Sequence, residues 1–210
     1  MLIVVSFSQT IASKISSMAT KLTLNDMRSR TGFTLSGEWQ DRELFLLDEV
    51  FQRYRDAAGF DPWPYPVTIL LEKTGINCLR DGKTTCLNVN GLTTWTITHE
   101  LAHGWDASTG WTLSKRLRKI THSGLLFKRL HLWRPPWKFF WYHVGSPPPP
   151  CGVDKNFNAI EDFAESVTAY LYPEEAAKRA TERGYPYGKW GYSHFHDTPR
   201  GKFIRGLFAE

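Results

Sequence analysis

The chain has 210 residues, 41% of them hydrophobic and 22% charged, and a net charge of +5. That composition predicts one globular domain with a sizeable core and excludes a mainly disordered or collagen-like chain. No apolar run approaches the roughly 18–20 residues of a membrane span, so no transmembrane segment is expected and the protein is placed as secreted or cytoplasmic.

The first 20 residues are set apart. Leu2, Ile3, Val4 and Val5 form a short apolar run, but Ser6, Ser8 and Gln9 interrupt it and no basic residue precedes it. A secretory signal needs both features, so residues 1–20 read as a disordered or non-native start and 21–210 as a single domain. From Asp41 to Ala58 the apolar residues Leu44, Leu47, Phe51, Tyr54 and Ala58 recur at helical spacing, and Gly59 supplies the stop. Residues 61–66 hold three prolines and predict a rigid extended connection. Val67 to Leu71 is β-branched and apolar, which predicts a buried strand. Arg80-Asp81-Gly82-Lys83 predicts a hairpin turn, because Asp-Gly tolerates positive φ, with Cys86 to Asn90 as the returning strand. Cys78 and Cys86 then face each other across the hairpin. Three cysteines and no CxxC pair argue against a disulfide scaffold and against a zinc held by thiolates.

Helices are predicted at 93–108, 113–120, 159–171 and 174–183, with an amphipathic tail at 202–208. The stretch from 107 to 153 has no acidic residue and eight basic ones, which leaves −3 for the rest of the chain. Its basic residues alternate with Trp133, Trp137, Phe139, Phe140 and Trp141. Residues 113–150 therefore read as a basic aromatic insertion. Its 113–142 part either meets an anionic surface or packs its rings on the domain with its charges solvated. The charge is too localised for a nucleic-acid coat, so no specific nucleic acid is expected. Pro147 to Pro150 is a stiff polyproline spacer.

His99-Glu100-Leu101-Ala102-His103 carries the chemistry. Two histidines four apart lie about 40° apart around a helix, so both imidazoles reach one ion at about 2.0–2.1 Å. Glu100 projects beside that ion and can take a proton from its bound water. With seven His and eleven Glu in the chain, about 0.01 such strings are expected by chance, so an accidental match is disfavoured. Ile97, Leu101 and Trp105 occupy the other side of the helix. After His103 come Gly104, Trp105 and Asp106, without the glycine and histidine of an HxxGxxH continuation. The third ligand must come from elsewhere, and Glu161 with Glu165 one turn later offers it. Asn158 to Glu161 also reads as a capping box, in which Glu161 satisfies a backbone N–H. Glu165 suits either an imidazole partner or a solvated face, and Asp106 either the same partnership or a structural charge.

The run from His99 to Asp106, followed by Glu161-Asp162-Phe163-Ala164-Glu165, resembles the glutamate-zincin metallopeptidases of the anthrax lethal factor-like group, which includes the Pro-Pro endopeptidases. The likeness covers about thirty residues. It implies an α+β, zincin-like fold, with a small mixed sheet over the HExxH helix and a mostly helical lower half. It implies one zinc per chain on His99, His103 and Glu161, with Glu100 as the catalytic base and Glu165 and Asp106 orienting the ligands. The implied activity is zinc-dependent hydrolysis of peptide bonds in a polypeptide substrate, through a zinc-bound water activated by Glu100. The substrate is expected along Cys86–Asn90 as an edge strand. The group carries a Tyr seven residues before the third ligand, where Asp154 stands here. An aspartate donates to an oxyanion only when protonated, which leaves Tyr142, His143, Tyr192, His194 and His196 as alternative donors. The same departure supports a second expectation, an inactive zincin-fold module that binds peptides without cutting them.

Overall fold

The computed structural model describes residues 22–58, 67–121, 158–183 and 192–209. The N-terminal stretch, the proline connection at 61–66, most of the basic aromatic segment, Tyr142, His143 and Asp154 lie outside them.

Helix α1 (Leu24–Thr31) is closed at its start by a capping box between Thr23 and Asp26 and at its end by Gly32, at φ 71°. Strand β1 (Thr34–Gly37) follows, then helix α2 (Asp41–Ala58), whose Leu44, Leu47, Phe51 and Tyr54 are buried as their spacing predicts. Strands β2 (Thr68–Glu72), β3 (Cys78–Arg80) and β4 (Thr84–Asn88) complete a sheet of order β1-β2-β4-β3. The first two pairings are parallel, and β3 runs antiparallel to β4. The predicted hairpin turn is present, with Asp81 at φ 54° and Gly82 at φ 65°. The helices are α3 (Thr94–Ser108), α4 (Thr112–Thr121), α5 (Ala159–Leu171), α6 (Pro173–Arg183) and α7 (Pro199–Ala209), with a 3-10 turn at Tyr192–Asp197. The architecture is α+β, a four-stranded mixed sheet with seven helices among the described residues. None of these helices is long and apolar enough to cross a membrane.

One expectation changes. The strand placed at the edge, Cys86–Asn90, corresponds to β4, which lies inside the sheet between β2 and β3. The hairpin partner β3 takes the edge instead, because β4 has its other side already paired in parallel with β2. The first part of the basic segment is helix α4, which packs its apolar side on the domain. Leu113 and Leu117 are buried, and Arg116 lays its guanidinium 5.5 Å from the Phe203 ring centroid, so α4 belongs to the core.

The sheet rests on α3 through β3 and β4, and α3 packs in turn on α5. Trp105 of α3 meets Phe163 of α5 edge-on at 6.0 Å, and Phe208 of α7 stacks against Trp105 at 5.4 Å and Tyr170 at 5.5 Å. Beside this aromatic cluster a fully buried ion pair ties α7 to α5. Arg200 Nε donates to Asp162 Oδ1 at 2.7 Å and Nη2 to Oδ2 at 2.8 Å.

Removing one partner of such a pair leaves the other charge buried alone. Arg200→Met is therefore expected to cost about 3–5 kcal/mol of stability in denaturant unfolding. A loss below about 1 kcal/mol would show that the pair does not anchor α7.

Cys78 and Cys86 are register partners and free thiols. Antiparallel partners have Cα atoms about 4.5–5.5 Å apart, within the span a disulfide bridges. Burial pushes the Cys86 thiol up to about 11, with Cys78 adding to the effect. Oxidised glutathione is expected to close the pair with loss of two hydrogens by mass, Cys78 attacking the oxidant first. The reaction should vanish in Cys78→Ser, and an unchanged wild-type mass after oxidation would refute the pairing.

Candidate metal centre

Helix α3 is started by Thr93, whose hydroxyl accepts from the Thr96 N–H at 3.1 Å. From there His99 and His103 fall on one side. The rest of the helix is not half-exposed, as its periodicity implies, but buried from Glu100 to Asp106. Helix α5 is started by Asn158, whose side-chain oxygen accepts from the N–H groups of Ile160 at 2.8 Å and Glu161 at 3.3 Å. Asn158 thus caps the first turn while the Glu161 carboxylate turns to the histidines.

The three side chains converge. His99 Nε2 and His103 Nε2 are 3.0 Å apart, and Glu161 Oε2 lies 3.1 Å from the first and 3.5 Å from the second. A tetrahedral ion with bonds of about 2.0–2.1 Å holds its ligand atoms about 3.3–3.4 Å from one another. The observed triangle matches one face of that tetrahedron, so this group can hold a metal ion.

Glu165, one turn beyond Glu161 and almost fully buried, accepts from His99 Nδ1 at 3.0 Å. That bond fixes the tautomer whose Nε2 lone pair faces the ligand triangle. Burial alone would lower the His99 pKa, but hydrogen bonds to Glu161 and Glu165 outweigh it and raise it to about 10. Burial would raise Glu161, and its bonds with His103 and His99 instead hold it well below the usual carboxylate range.

Glu100 is 7% exposed, and burial pushes its carboxyl above the usual range against the pull of His99 and His103. Its Oε2 has no hydrogen-bond partner. It lines a cleft of about 330 Å³ together with the three converging residues. The edge strand and the residue before it, Asn77 to Leu79, form another wall of that cleft, and Trp111 and Ile160 contribute to the rest.

Asp106 is not bonded to an imidazole. It is fully buried, and its Oδ1 accepts from the N–H groups of Leu113 at 2.9 Å and Ser114 at 3.1 Å, which caps α4. His103 Nδ1 and Asp106 Oδ2 are both buried without a partner. Of the alternative oxyanion donors, His196 is bonded to the Tyr170 carbonyl at 2.8 Å and does not line the cleft. The cleft residues Leu79, Trp111 and Ile160 were not singled out from the sequence. The only signal near Trp111 is Gly110, a helix stop directly after the HExxH helix.

No family model matches the chain, and no curated protein or solved structure matches it. The likeness to the lethal factor-like group therefore rests on the motif residues.

Removing Glu161 as Glu161→Ala is expected to weaken divalent-metal binding severely, measured by competition with a chromogenic chelator. Glu165→Gln should retain one ion per chain but weaken it about 10–100-fold, since it only orients His99. Wild-type affinity in Glu161→Ala would remove it from the ligand set.

Proposed function

We propose that this protein is a zinc-dependent metalloendopeptidase of zincin-like fold. The observation that carries the reading is Glu100, whose Oε2 is buried without a partner and whose pKa burial raises, at the wall of a cleft it shares with three converging side chains. A buried acceptor without a partner is costly, and a proton-transfer group is the use that justifies it. Two imidazoles and a carboxylate are also a ligand set of catalytic zinc sites, which keep a further position open. The mixed sheet against α3, with helices α4 to α7 following it, supports the zincin-like fold.

His99, His103 and Glu161 would hold the ion, and Glu165 keeps His99 in the tautomer that binds it. A bound zinc supplies Lewis acidity, polarising a carbonyl and acidifying water at neutral pH. Glu100 takes the proton from the attacking water and delivers it to the amine that leaves as the peptide bond breaks. Its burial keeps its basicity above that of an exposed carboxylate. The substrate strand adds along β3, the sheet edge at the cleft, whose outer backbone groups have no strand partner among the described residues. The alternative of a non-cutting peptide-binding module rests on Asp154, outside the described residues, and the intact Glu100 speaks against it.

Glu100→Gln is the decisive variant. It should keep the fold and one zinc per chain, yet lose about 10³-fold or more of peptide turnover on a mixed peptide library. Equal turnover in both proteins would overturn the assignment of the base.

A further inference from the structure

Between α3 and α4 the chain reverses through Thr109, Gly110 and Trp111. Gly110 has φ 66° and Trp111 φ 62°. The left-handed conformation is free to glycine, but a bulky side chain adopts it only where the surroundings impose it. Asp106 imposes it here. Its carbonyl accepts from the N–H groups of Thr109 at 3.1 Å and Trp111 at 2.8 Å, while its carboxylate holds the N–H groups of Leu113 and Ser114. One fully buried residue thus ends α3 and begins α4, and the strained tryptophan is fixed between those two anchors.

The indole is not part of the core. Trp111 is only half-buried, and it lines the cleft that holds His99, His103, Glu161 and Glu100. The other apolar side chains lining that cleft are Leu79 of β3 and Ile160 of α5. No Lys or Arg is among the described lining residues, and the carboxylates there belong to the metal and proton-transfer groups. An acidic substrate side chain would find no counter-charge.

We propose that Trp111 is a specificity-determining residue, a wall on which a bulky apolar side chain next to the cleaved bond packs, with Asp106 as the positioning residue that aims it. The proposal deepens the metallopeptidase reading and rests on it. It gives the backbone strain a purpose: the turn places an aromatic face at the reacting centre instead of in solvent.

The test compares zinc-loaded wild type with Trp111→Ala, Trp111→Phe and Trp111→Gly in the full chain. Two probes are titrated by calorimetry. Acetohydroxamate reads the metal alone, and a peptide hydroxamate with a phenylalanine side chain reads metal and wall together. Trp111→Ala should weaken the second probe about tenfold or more and leave the first within about twofold, with zinc content unchanged. Trp111→Phe should restore most of the lost affinity. Trp111→Gly should melt above Trp111→Ala, since both lack the indole and only glycine fits the left-handed turn without strain. Equal losses on both probes, an unaffected second probe, lost zinc in Trp111→Ala or the reverse melting order would each overturn the proposal. A wild type that binds neither probe would overturn the metal reading and the wall with it. A wild type that discriminates the probes but cuts no peptide would overturn the peptidase activity and leave the wall standing.

Discussion

The centre depends on the separation of two helices. His99 and His103 come from α3 and Glu161 from α5, 58 residues beyond His103, so helical spacing alone cannot bring the three together. A displacement of about 1 Å at Glu161 would loosen the ligand triangle. Side-chain packing sets the distance: Trp105 on Phe163, and Phe208 bridging Trp105 and Tyr170. The Arg200–Asp162 pair acts one residue from Glu161 and pins the first turn of α5, where a helix would otherwise fray. The C-terminal helix is therefore part of the site's support although it contributes nothing to the cleft.

That support is needed because the cluster opposes itself. Glu100, Glu161 and Glu165 crowd around His99, all of them partly or fully withdrawn from water. No Lys or Arg is among the described residues that line the cleft, and although burial works against a charged His99, its hydrogen bonds to Glu161 and Glu165 raise its pKa. A rigid frame lets the structure hold carboxylates at distances where a softer one would relax apart.

The parts of this arrangement that were legible in the sequence are those set by local periodicity. The HExxH spacing, the apolar stripe of α2 and the Asp81-Gly82 turn each depend on residues close in sequence, and each lies where its pattern places it. Helix α1 and strand β1 went unread because they bury little. Of α1 only Met27 and Thr31 are buried, and of β1 only Leu35. Strand order was not legible at all. Whether β3 or β4 forms the edge is decided by the parallel pairing of β4 with β2, a contact between distant segments that no alternation records. The capping role of Asp106 was not legible for a related reason. Helical spacing puts it on the face of His103, but its carboxylate meets the N–H groups of Leu113 and Ser114, which only the tight reversal after α3 brings into reach.

The reversal also bears on why Glu100, and not a neighbour, is left free. Three of the four imidazole nitrogens are already committed: His99 Nδ1 to Glu165, and both Nε2 atoms to the triangle with Glu161. Asp106, the other carboxylate on this helix, gives one oxygen to the α4 backbone and has no place among the lining residues of the cleft. Of the acidic groups on α3 and α5 that could reach the cleft, Glu161 faces the ligand triangle, Glu165 holds His99 and Asp162 is neutralised by Arg200. Glu100 is what remains, a carboxylate with an unpartnered oxygen and a pKa raised by burial beside the ligands. The proposal of Glu100 as the base thus rests on the hydrogen bonds of the two helices as well as on the motif, because Glu161, Glu165 and Asp162 each hold a partner of their own.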